Sequence, residues 1–224
     1  MENDDAPPTW LDLYDYRSRV ARMYRERDAS LRDSMDPEEV LWHFRAAKDL
    51  LFREHPQSAL PPDERATFTG LRYFPYNPAL RVAATLTPLS TDATTEAPSS
   101  GPHPMPLRQA ARIEFAVEGT PVQLTVFWID VYGGGLFLPF RDATCPAESY
   151  GAGRYLFDTV KGSDFERLDD PSAAVGYAGG QIMLDFNYAY NPSCCYDVRW
   201  ACPLAPRENW LTVAIRAGEQ NYHE

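Results

Sequence analysis

The chain has 224 residues, a formal net charge of −11 and a sequence pI near 4.8, and 44% of its residues are hydrophobic. The acidic balance argues against nucleic acid and anionic membrane surfaces as partners, and the hydrophobic fraction is that of a packed globular protein. No apolar run approaches the roughly 20 residues that cross a bilayer. The acidic N-terminus lacks the apolar stretch of a secretory signal, so we predict a cytoplasmic protein.

Two helices are predicted at the N-terminus. Thr9 followed by Asp12 has the pattern of a helix cap, and Asp36-Pro37-Glu38-Glu39 is a second and stronger start signal. We predict that residues 1–60 form a helical region packed on a β domain, which occupies residues 61–224.

The β domain is indicated by a period of two. Ile113 and Phe115 alternate with Arg112 and Glu114, and the alternation resumes at Val122 after a turn at Gly119-Thr120, which predicts a hairpin. Further strands are predicted near residues 68–74, 80–87, 135–140, 153–160, 180–187 and 210–217. About eight antiparallel strands are typical of a barrel or a barrel-like sandwich.

Residues 88–109 are rich in Pro, Ser, Thr and Gly and predict one long mobile loop between strands. The chain shows no strand–helix alternation and no glycine-rich phosphate loop. These absences argue against a doubly wound nucleotide-binding fold, and no cofactor is predicted.

Two arginines stand out near the middle of the β domain. Arg141 and Asp142 follow a glycine-rich, nearly uncharged stretch, and Arg154 follows a second glycine-rich turn. One interpretation is an Arg–Asp pair that fixes a strand connection. The other is an arginine fork, from Arg141 or Arg154, that binds a carboxylate or phosphate group.

The segment 185–209 is crowded with aromatic, amide, acidic and thiol side chains. Alternation places Asp185 and Asn187 on the strand face opposite Ile182 and Leu184. If the strand lines a barrel, Asp185 can meet one of the arginines. Such a pair is either structural or part of a ligand site.

The cysteines do not follow a metal-binding pattern. Cys194 and Cys202 are eight positions apart, and no histidine lies between residues 104 and 222. A disulfide between them is geometrically possible but disfavoured in a reducing cytoplasm, so we predict buried, unreactive thiols that maintain the shape of the loop.

The lack of histidine also argues against Ser-His-Asp and Cys-His catalysis. A hydrolase that uses Asp142 or Asp185 stays open.

Several motifs occur together and in order. They are Gly135-Leu-Phe-Leu-Pro-Phe-Arg-Asp-Ala-Thr144, Ser149-Tyr-Gly-Ala-Gly-Arg-Tyr-Leu156, Leu184-Asp-Phe-Asn-Tyr-Ala-Tyr-Asn-Pro-Ser-Cys194, Cys202-Pro-Leu-Ala-Pro-Arg-Glu-Asn209 and Ile215-Arg-Ala-Gly-Glu219. With them the chain resembles the family catalogued as domain of unknown function 1684, over roughly residues 40–222. The resemblance implies no established activity. It implies that the characteristic family positions include Arg141, Asp142, Tyr150, Arg154, Asp185, Asn187, Tyr190, Asn191, Cys194, Tyr196, Cys202, Asn209 and Glu219. Cys195 departs from the family pattern.

The leading hypothesis is a β-barrel that binds a small polar or anionic ligand at one open end. Arg141 and Arg154 would bind the anionic group, and Tyr150 and Tyr196 would form aromatic walls. The remaining predicted ligand contacts are Asp142, Asp185, Asn187, Tyr190 and Asn191. The alternatives are the histidine-independent hydrolase and a structural or interaction protein in which the motifs are architectural.

Overall fold

The computed structural model describes residues 7–90, 94–168 and 180–223. The chain divides into two compact units, Met1–Gly70 and Leu71–Glu224, whereas the division predicted from the sequence was at residue 60. The helices are α1 (Trp10–Arg32), α2 (Pro37–Glu54) and α3 (Pro62–Arg65). The strands are β1 (Arg81–Thr85), β2 (Thr87–Pro88), β3 (Thr94–Ala97), β4 (Met105–Val117), β5 (Thr120–Ile129), β6 (Leu136–Phe140), β7 (Arg154–Asp158), β8 (Glu166–Arg167) and β9 (Gln181–Asp185).

Both predicted N-terminal helices are confirmed, together with their caps. At α1 the Thr9 backbone N–H donates to Asp12 Oδ2 at 2.6 Å, and the Asp12 N–H donates back to Thr9 Oγ1 at 3.2 Å. At α2 the Asp36 carboxylate accepts from the backbone N–H groups of Glu38 and Glu39. These contacts satisfy N–H groups that have no partner within a helix. None of the helices in the described ranges is long and apolar enough to span a membrane.

The described strands form two antiparallel sheets. The smaller sheet has the order β1-β9-β8, and the larger has the order β2-β4-β5-β6-β7, with β3 also paired to β4. The predicted antiparallel β architecture is therefore confirmed. No closed barrel is present among the described residues, so the arrangement is sandwich-like rather than a barrel.

The predicted hairpin is formed by β4 and β5. Val117 pairs with Thr120, so the connection consists of Glu118 and Gly119, one residue earlier than predicted. Their φ angles are 49° and 79°, both in the left-handed region, as a two-residue type I′ turn requires. Gly119 has no Cβ and takes this conformation without steric cost.

Two of the strand predictions are wrong. Residues 68–74 and 210–217 make only isolated bridges, from Tyr73 to Glu219 and from Arg141 to Trp210. The backbone of 209–213 does bond to 141–143, through Arg141 N–H to Asn209 O and Ala143 N–H to Val213 O. Beyond residue 213, the Ile215 N–H donates to the Asp142 carboxylate and the Ile215 carbonyl accepts from Arg154, so this ladder does not continue.

The segment 88–109 is not one uninterrupted connection. Strand β3 and the first residues of β4 lie inside it, and Thr94–Ala97 pair with Met105–Arg108. Its Pro, Ser and Thr content concealed a short hairpin, because β-branched threonine is common in both loops and strands. Residues 91–93 lie outside the described part of the chain.

The larger sheet has hydrophobic clusters on both faces. One cluster joins it to the smaller sheet and includes Leu124, Val126, Phe140, Ile182 and Leu184. The other consists of Ala97, Leu107, Phe127, Ile129, Phe137 and Tyr155. Adjacent residues of a strand point to opposite faces, so β6, β7 and residues 124–127 of β5 are buried almost continuously.

Candidate functional site

Arg154 and Asp142 form a fully buried ion pair. Arg154 Nη2 donates to Asp142 Oδ1 at 3.1 Å, and both side chains are inaccessible to solvent. The guanidinium also donates to three backbone carbonyls of the C-terminal segment, those of Ile215, Ala217 and Glu219. Four of the five N–H donors of the arginine are therefore used within the protein.

Asp142 is equally engaged on its other oxygen. Asp142 Oδ2 accepts from the Ile215 backbone N–H at 2.7 Å, and from the backbone and hydroxyl of Thr144 at 3.2 and 2.9 Å. Phe140 packs against the guanidinium of Arg154. The pair thus fixes residues 215–219, and Arg154 presents its donors to the chain itself rather than to an open cavity.

A second buried carboxylate lies in the same segment. Tyr196 O–H donates to Glu219 Oε2, and the Asn191 backbone N–H donates to the same oxygen at 2.8 Å. Burial, and then the Glu219 charge, raise the pKa of Tyr196 well above its usual value, so the phenol remains a donor. Gly218 has a φ of +76°, and a Cβ there would lie 2.4 Å from Ala189 O, so only glycine fits.

Asp185 and Asn187 lie at the end of β9, where they bond to each other and each contacts a further partner. Asn187 Nδ2 donates to Asp185 Oδ1 at 2.8 Å and to Asn77 O at 3.0 Å. Asp185 also pairs with Arg81 at 3.3 Å, and Arg81 in turn pairs with Glu166. The arginine that Asp185 meets is therefore on β1.

Tyr190 and Arg141 occupy two further positions. Tyr190 O–H is 2.6 Å from Ser163 Oγ, and its backbone pairs with that of Tyr155. Arg141 is partly exposed, donates from Nε to Gly151 O at 3.0 Å and lies over the ring of Trp210. It thereby holds the turn that carries Tyr150.

The ninth predicted ligand residue, Tyr150, reaches the thiols. Its hydroxyl is 3.8 Å from Cys194 Sγ, and the Cys194 backbone N–H donates to Cys202 Sγ at 3.3 Å. Ser100 completes the group, because its hydroxyl accepts from the Cys202 N–H at 2.8 Å. Cys194 is partly exposed, whereas Cys202 is buried, and all four cysteines are free thiols. We call Tyr150, Cys194, Cys202 and Ser100 the thiol cluster.

The thiol cluster separates the acidities of its two cysteines. Hydrogen bonding from the Cys202 thiol, reinforced by the hydroxyls of Ser100 and Tyr150, lowers the pKa of Cys194 to about 6. The same thiol–thiol bond, followed by burial, raises the pKa of Cys202 far above its usual value. Burial raises the pKa of the adjacent Cys195 to about 12. The opposite directions of these shifts favour ionisation of Cys194 over that of Cys202 and Cys195.

The contacts above bring some of the predicted residues together and leave others apart. Arg154 and Asp142 bond to residues 215–219, where Glu219 also joins Asn191 to Tyr196, whereas Asp185 joins Asn187 and Arg81. Ser100 was missed because it lies in the low-complexity segment, and no feature of the sequence relates it to cysteines one hundred positions away. Among the described residues, no group of three or more His, Cys, Asp or Glu is arranged to hold a metal ion.

The fold and these buried polar contacts define a two-sheet antiparallel β protein with a helical N-terminal unit. The chain belongs to the family described as "Protein of unknown function (DUF1684)", whose profile matches residues 66–220, as the sequence motifs predicted. No curated protein matches the chain.

A solved structure supports the same assignment. The chain is similar to the solution NMR structure of the uncharacterized protein from gene locus rrnAC0354 of Haloarcula marismortui, with 35% sequence identity and a TM-score of 0.59. The match covers 86% of this chain and 98% of the other. Neither description names an activity.

Proposed function

We propose that this protein binds a small polar ligand beside Tyr150 and reacts with it through the thiolate of Cys194. The observation that carries the proposal is the Tyr150 hydroxyl, which lies 3.8 Å from a Cys194 sulfur that is still partly exposed. A thiolate is a strong nucleophile, and here it forms without a histidine base. This arrangement accounts for a reactive cysteine in a region of the chain that lacks histidine.

Each neighbour of the sulfur has a distinct role. Tyr150 keeps its proton, because burial and then the Cys194 charge raise its pKa well above the usual value. The phenol therefore donates to the thiolate and forms one wall of the site. Arg141 supports this wall by holding the carbonyl of Gly151. The Ser100 hydroxyl donates to Trp200 O at 3.1 Å and accepts from the Cys202 N–H at 2.8 Å, so it holds the backbone beside the sulfur.

The test is the pH dependence of alkylation by iodoacetamide, a small neutral electrophile. We expect Cys194 to react with a midpoint near pH 6, since the thiolate is the reacting form. Peptide mass spectrometry identifies the site, and Cys194→Ser removes the reaction. Cys195→Ser is the matched control, because the adjacent thiol is protonated throughout this range and its loss leaves the profile unchanged. An alkylation midpoint at Cys194 near the usual thiol value of about 8.5 would reject the proposal.

Tyr150→Phe tests the second member of the site. Removing the hydroxyl removes one donor to the thiolate, so the alkylation midpoint moves to higher pH while the fold is retained. Tyr132→Phe is the control, since that tyrosine is fully exposed. An unchanged midpoint in Tyr150→Phe would show that the hydroxyl does not stabilise the thiolate.

A second candidate function is the binding of a small anion at Arg141. Within the described residues, Arg141 donates hydrogen bonds from Nε and Nη2. The Trp210 ring, against which the Arg141 guanidinium packs, is also contacted by the guanidinium of Arg207. Two guanidiniums beside one half-exposed indole form a local basic patch on an acidic protein. Arg141, rather than Arg154, is thus the arginine on which we place the expected anionic ligand.

Thermal shifts with succinate and citrate test this second function. Binding to the native state raises the melting temperature with ligand concentration, and Arg141→Gln abolishes the increase. Arg112→Gln, at an exposed position on β4, serves as the control. An equal shift in Arg141→Gln would exclude Arg141 as the anion site.

We place no hydrolytic reaction on Asp142 or Asp185. Asp142 is buried with its oxygens engaged by Arg154, Thr144 and Ile215, and Asp185 pairs with Arg81 and Asn187. A general acid and base must reach a substrate and a water molecule. These contacts instead support an architectural role for both carboxylates.

A further inference from the structure

We propose that Cys194 and Cys202 form a redox-active dithiol that exchanges with small organic disulfides, with Cys194 as the attacking and Cys202 as the resolving sulfur. The inference rests on the proposed reactivity of Cys194 and adds a reaction partner, a second reacting residue and an order of events.

The two thiols lie close together because the flanking backbone is held in place. Ser100 N–H donates to Cys202 O at 2.9 Å, and the Leu204 N–H donates to Pro98 O, so residues 98–100 pair with 202–204. The Cys194 N–H then reaches Cys202 Sγ at 3.3 Å. The Cys202 thiol is also the largest cause of the lowered pKa of Cys194. The pairing therefore depends on a segment one hundred residues earlier in the chain.

Accessibility sets the direction of attack. Cys194 is partly exposed, whereas Cys202 retains 1% of its accessible surface. A disulfide in solution can therefore reach only Cys194. Cys202 is positioned to act afterwards, from inside the protein, on the sulfur that has already reacted.

Electrostatics change in the course of the reaction. The thiolate of Cys194 is the first cause of the raised pKa of Cys202, because the Cys202 proton is held in the bond between the two sulfurs. When Cys194 becomes a mixed disulfide it loses its charge, and this cause disappears. The Lys161 ammonium lowers the pKa of Cys202, and after this step the negative charge of Cys194 no longer counteracts that effect. The other titratable groups that act on the pair are Tyr150, Tyr155 and Cys195.

The steps balance with a small disulfide, RSSR, as the oxidant. Cys194 S⁻ attacks one sulfur of RSSR, which forms Cys194–S–SR and releases RS⁻. Cys202 loses its proton, and its thiolate attacks Cys194 Sγ, which forms the Cys194–Cys202 disulfide and releases a second RS⁻. Together with the proton that Cys194 releases to solvent when it ionises, the protein loses two electrons and two protons, and the two RS⁻ take up these protons to give two RSH. The reverse sequence reduces the protein.

The remaining two cysteines differ in their surroundings and provide matched controls. Cys195 is buried and next to the reactive residue, and Cys145 lies 3.2 Å from Ser149 Oγ and 3.8 Å from Asp142. Among the described residues, neither thiol forms a hydrogen bond to a second sulfur. A dithiol reaction confined to Cys194 and Cys202 is therefore distinguishable from general oxidation.

The experiment uses the full chain treated with hydroxyethyl disulfide, a neutral reagent, followed by trypsin and mass spectrometry. Arg199 separates Cys194 from Cys202, so their disulfide joins two tryptic peptides. We expect this linked pair in the wild type and in Cys195→Ser, and the latter excludes a bond to Cys195. Cys202→Ser retains the mixed disulfide on Cys194, and Cys194→Ser gives neither product.

The outcomes separate the two proposals. A mixed disulfide on wild-type Cys194 that never proceeds to the linked peptides overturns the dithiol and leaves the reactive thiolate intact. A Cys194 that resists both the disulfide and iodoacetamide overturns both. Phenylarsine oxide, which binds paired thiols, provides a measurement that needs no Cys202 variant: it must block alkylation of Cys194 in the wild type and in Cys195→Ser. If phenylarsine oxide does not bind the protein and Cys194 is still alkylated in its presence, Cys194 and Cys202 do not form a dithiol.

Discussion

At the scale of single residues, surroundings rather than residue type decide chemical behaviour. Cys194 and Cys195 are consecutive, yet hydrogen bonding lowers the pKa of the first to about 6 and burial raises the pKa of the second to about 12. Likewise Arg141 is partly exposed, whereas Arg154 is buried and uses its donors on Asp142 and on backbone carbonyls. The sequence alone could not distinguish a structural role from a ligand-binding or reactive role for these residues, because the distinction depends on three-dimensional contacts.

The Arg154–Asp142 pair leads to a prediction about stability. Arg154→Met leaves the Asp142 carboxylate buried without its cation and removes one donor from each of three backbone carbonyls, so we expect a loss of about 3–5 kcal/mol. Urea unfolding followed by circular dichroism measures this change. Arg112→Met, at an exposed strand position, should change the free energy of unfolding by less than about 0.5 kcal/mol. A loss below about 1 kcal/mol in Arg154→Met would contradict the architectural role.

At the scale of elements, Asn209 completes the pairing of β5 with β6. The register Phe127 to Phe137 places Thr125 opposite Pro139, which has no N–H to donate. The side-chain amide of Asn209 supplies the hydrogen bonds that the Pro139 backbone cannot make to Thr125. Its Oδ1 accepts from Thr125 N–H at 2.8 Å, and its Nδ2 donates to Thr125 O at 2.8 Å and to Pro139 O at 2.7 Å. A side chain from a distant loop thus supplies hydrogen bonds that a strand cannot.

Substitution of this amide should therefore weaken the sheet. Asn209→Ala leaves buried backbone groups of Thr125 and Pro139 without partners, and each such group costs about 1–3 kcal/mol, so we expect a loss of about 3 kcal/mol. The exchange of the Thr125 amide hydrogen should accelerate at the same time. Glu208→Ala is the adjacent exposed control. If Asn209→Ala matches it in both measurements, the amide does not support the sheet.

At the scale of the whole molecule, charge is the dominant surface property. The chain has 32 acidic and 21 basic residues, so like-charge repulsion opposes the compact state at low ionic strength. Exposed ion pairs such as Arg108–Asp130 and Arg216–Glu148 contribute little in water. Screening of the like-charge repulsion should therefore change the stability of the protein more than screening of these ion pairs.

This balance predicts that salt stabilises the protein. The Debye length falls from about 10 Å at 0.1 M to about 3 Å at 1 M, so potassium chloride over this range should raise the melting temperature by several degrees. A variant with Glu96, Glu114 and Glu118 changed to Gln, all of them exposed, should have a smaller increase because the surplus of negative charge is reduced. A melting temperature that falls with salt would indicate that the ion pairs dominate.

Local signals in the sequence were sufficient for the elements that depend on neighbouring residues. The caps at Thr9 and Asp36, the β4–β5 hairpin and the antiparallel β class follow from hydrogen bonds and side-chain alternation within a few positions. The family motifs were also legible. The false strand at 210–217 shows the limit, because the Asp142 and Arg154 side chains, rather than a neighbouring strand, bond to the backbone of Ile215.

Only the tertiary structure decided which polar residues meet. Arg154 could bind a ligand or Asp142, because both alternatives satisfy the same local pattern. The sequence allowed Asp185 to meet Arg141 or Arg154, and it instead pairs with Arg81. The choice came from contacts across the chain, such as Arg154 with residues 215–219 and Ser100 with Cys202. A buried polar group must find its partner wherever the fold brings one, and sequence distance does not constrain that partner.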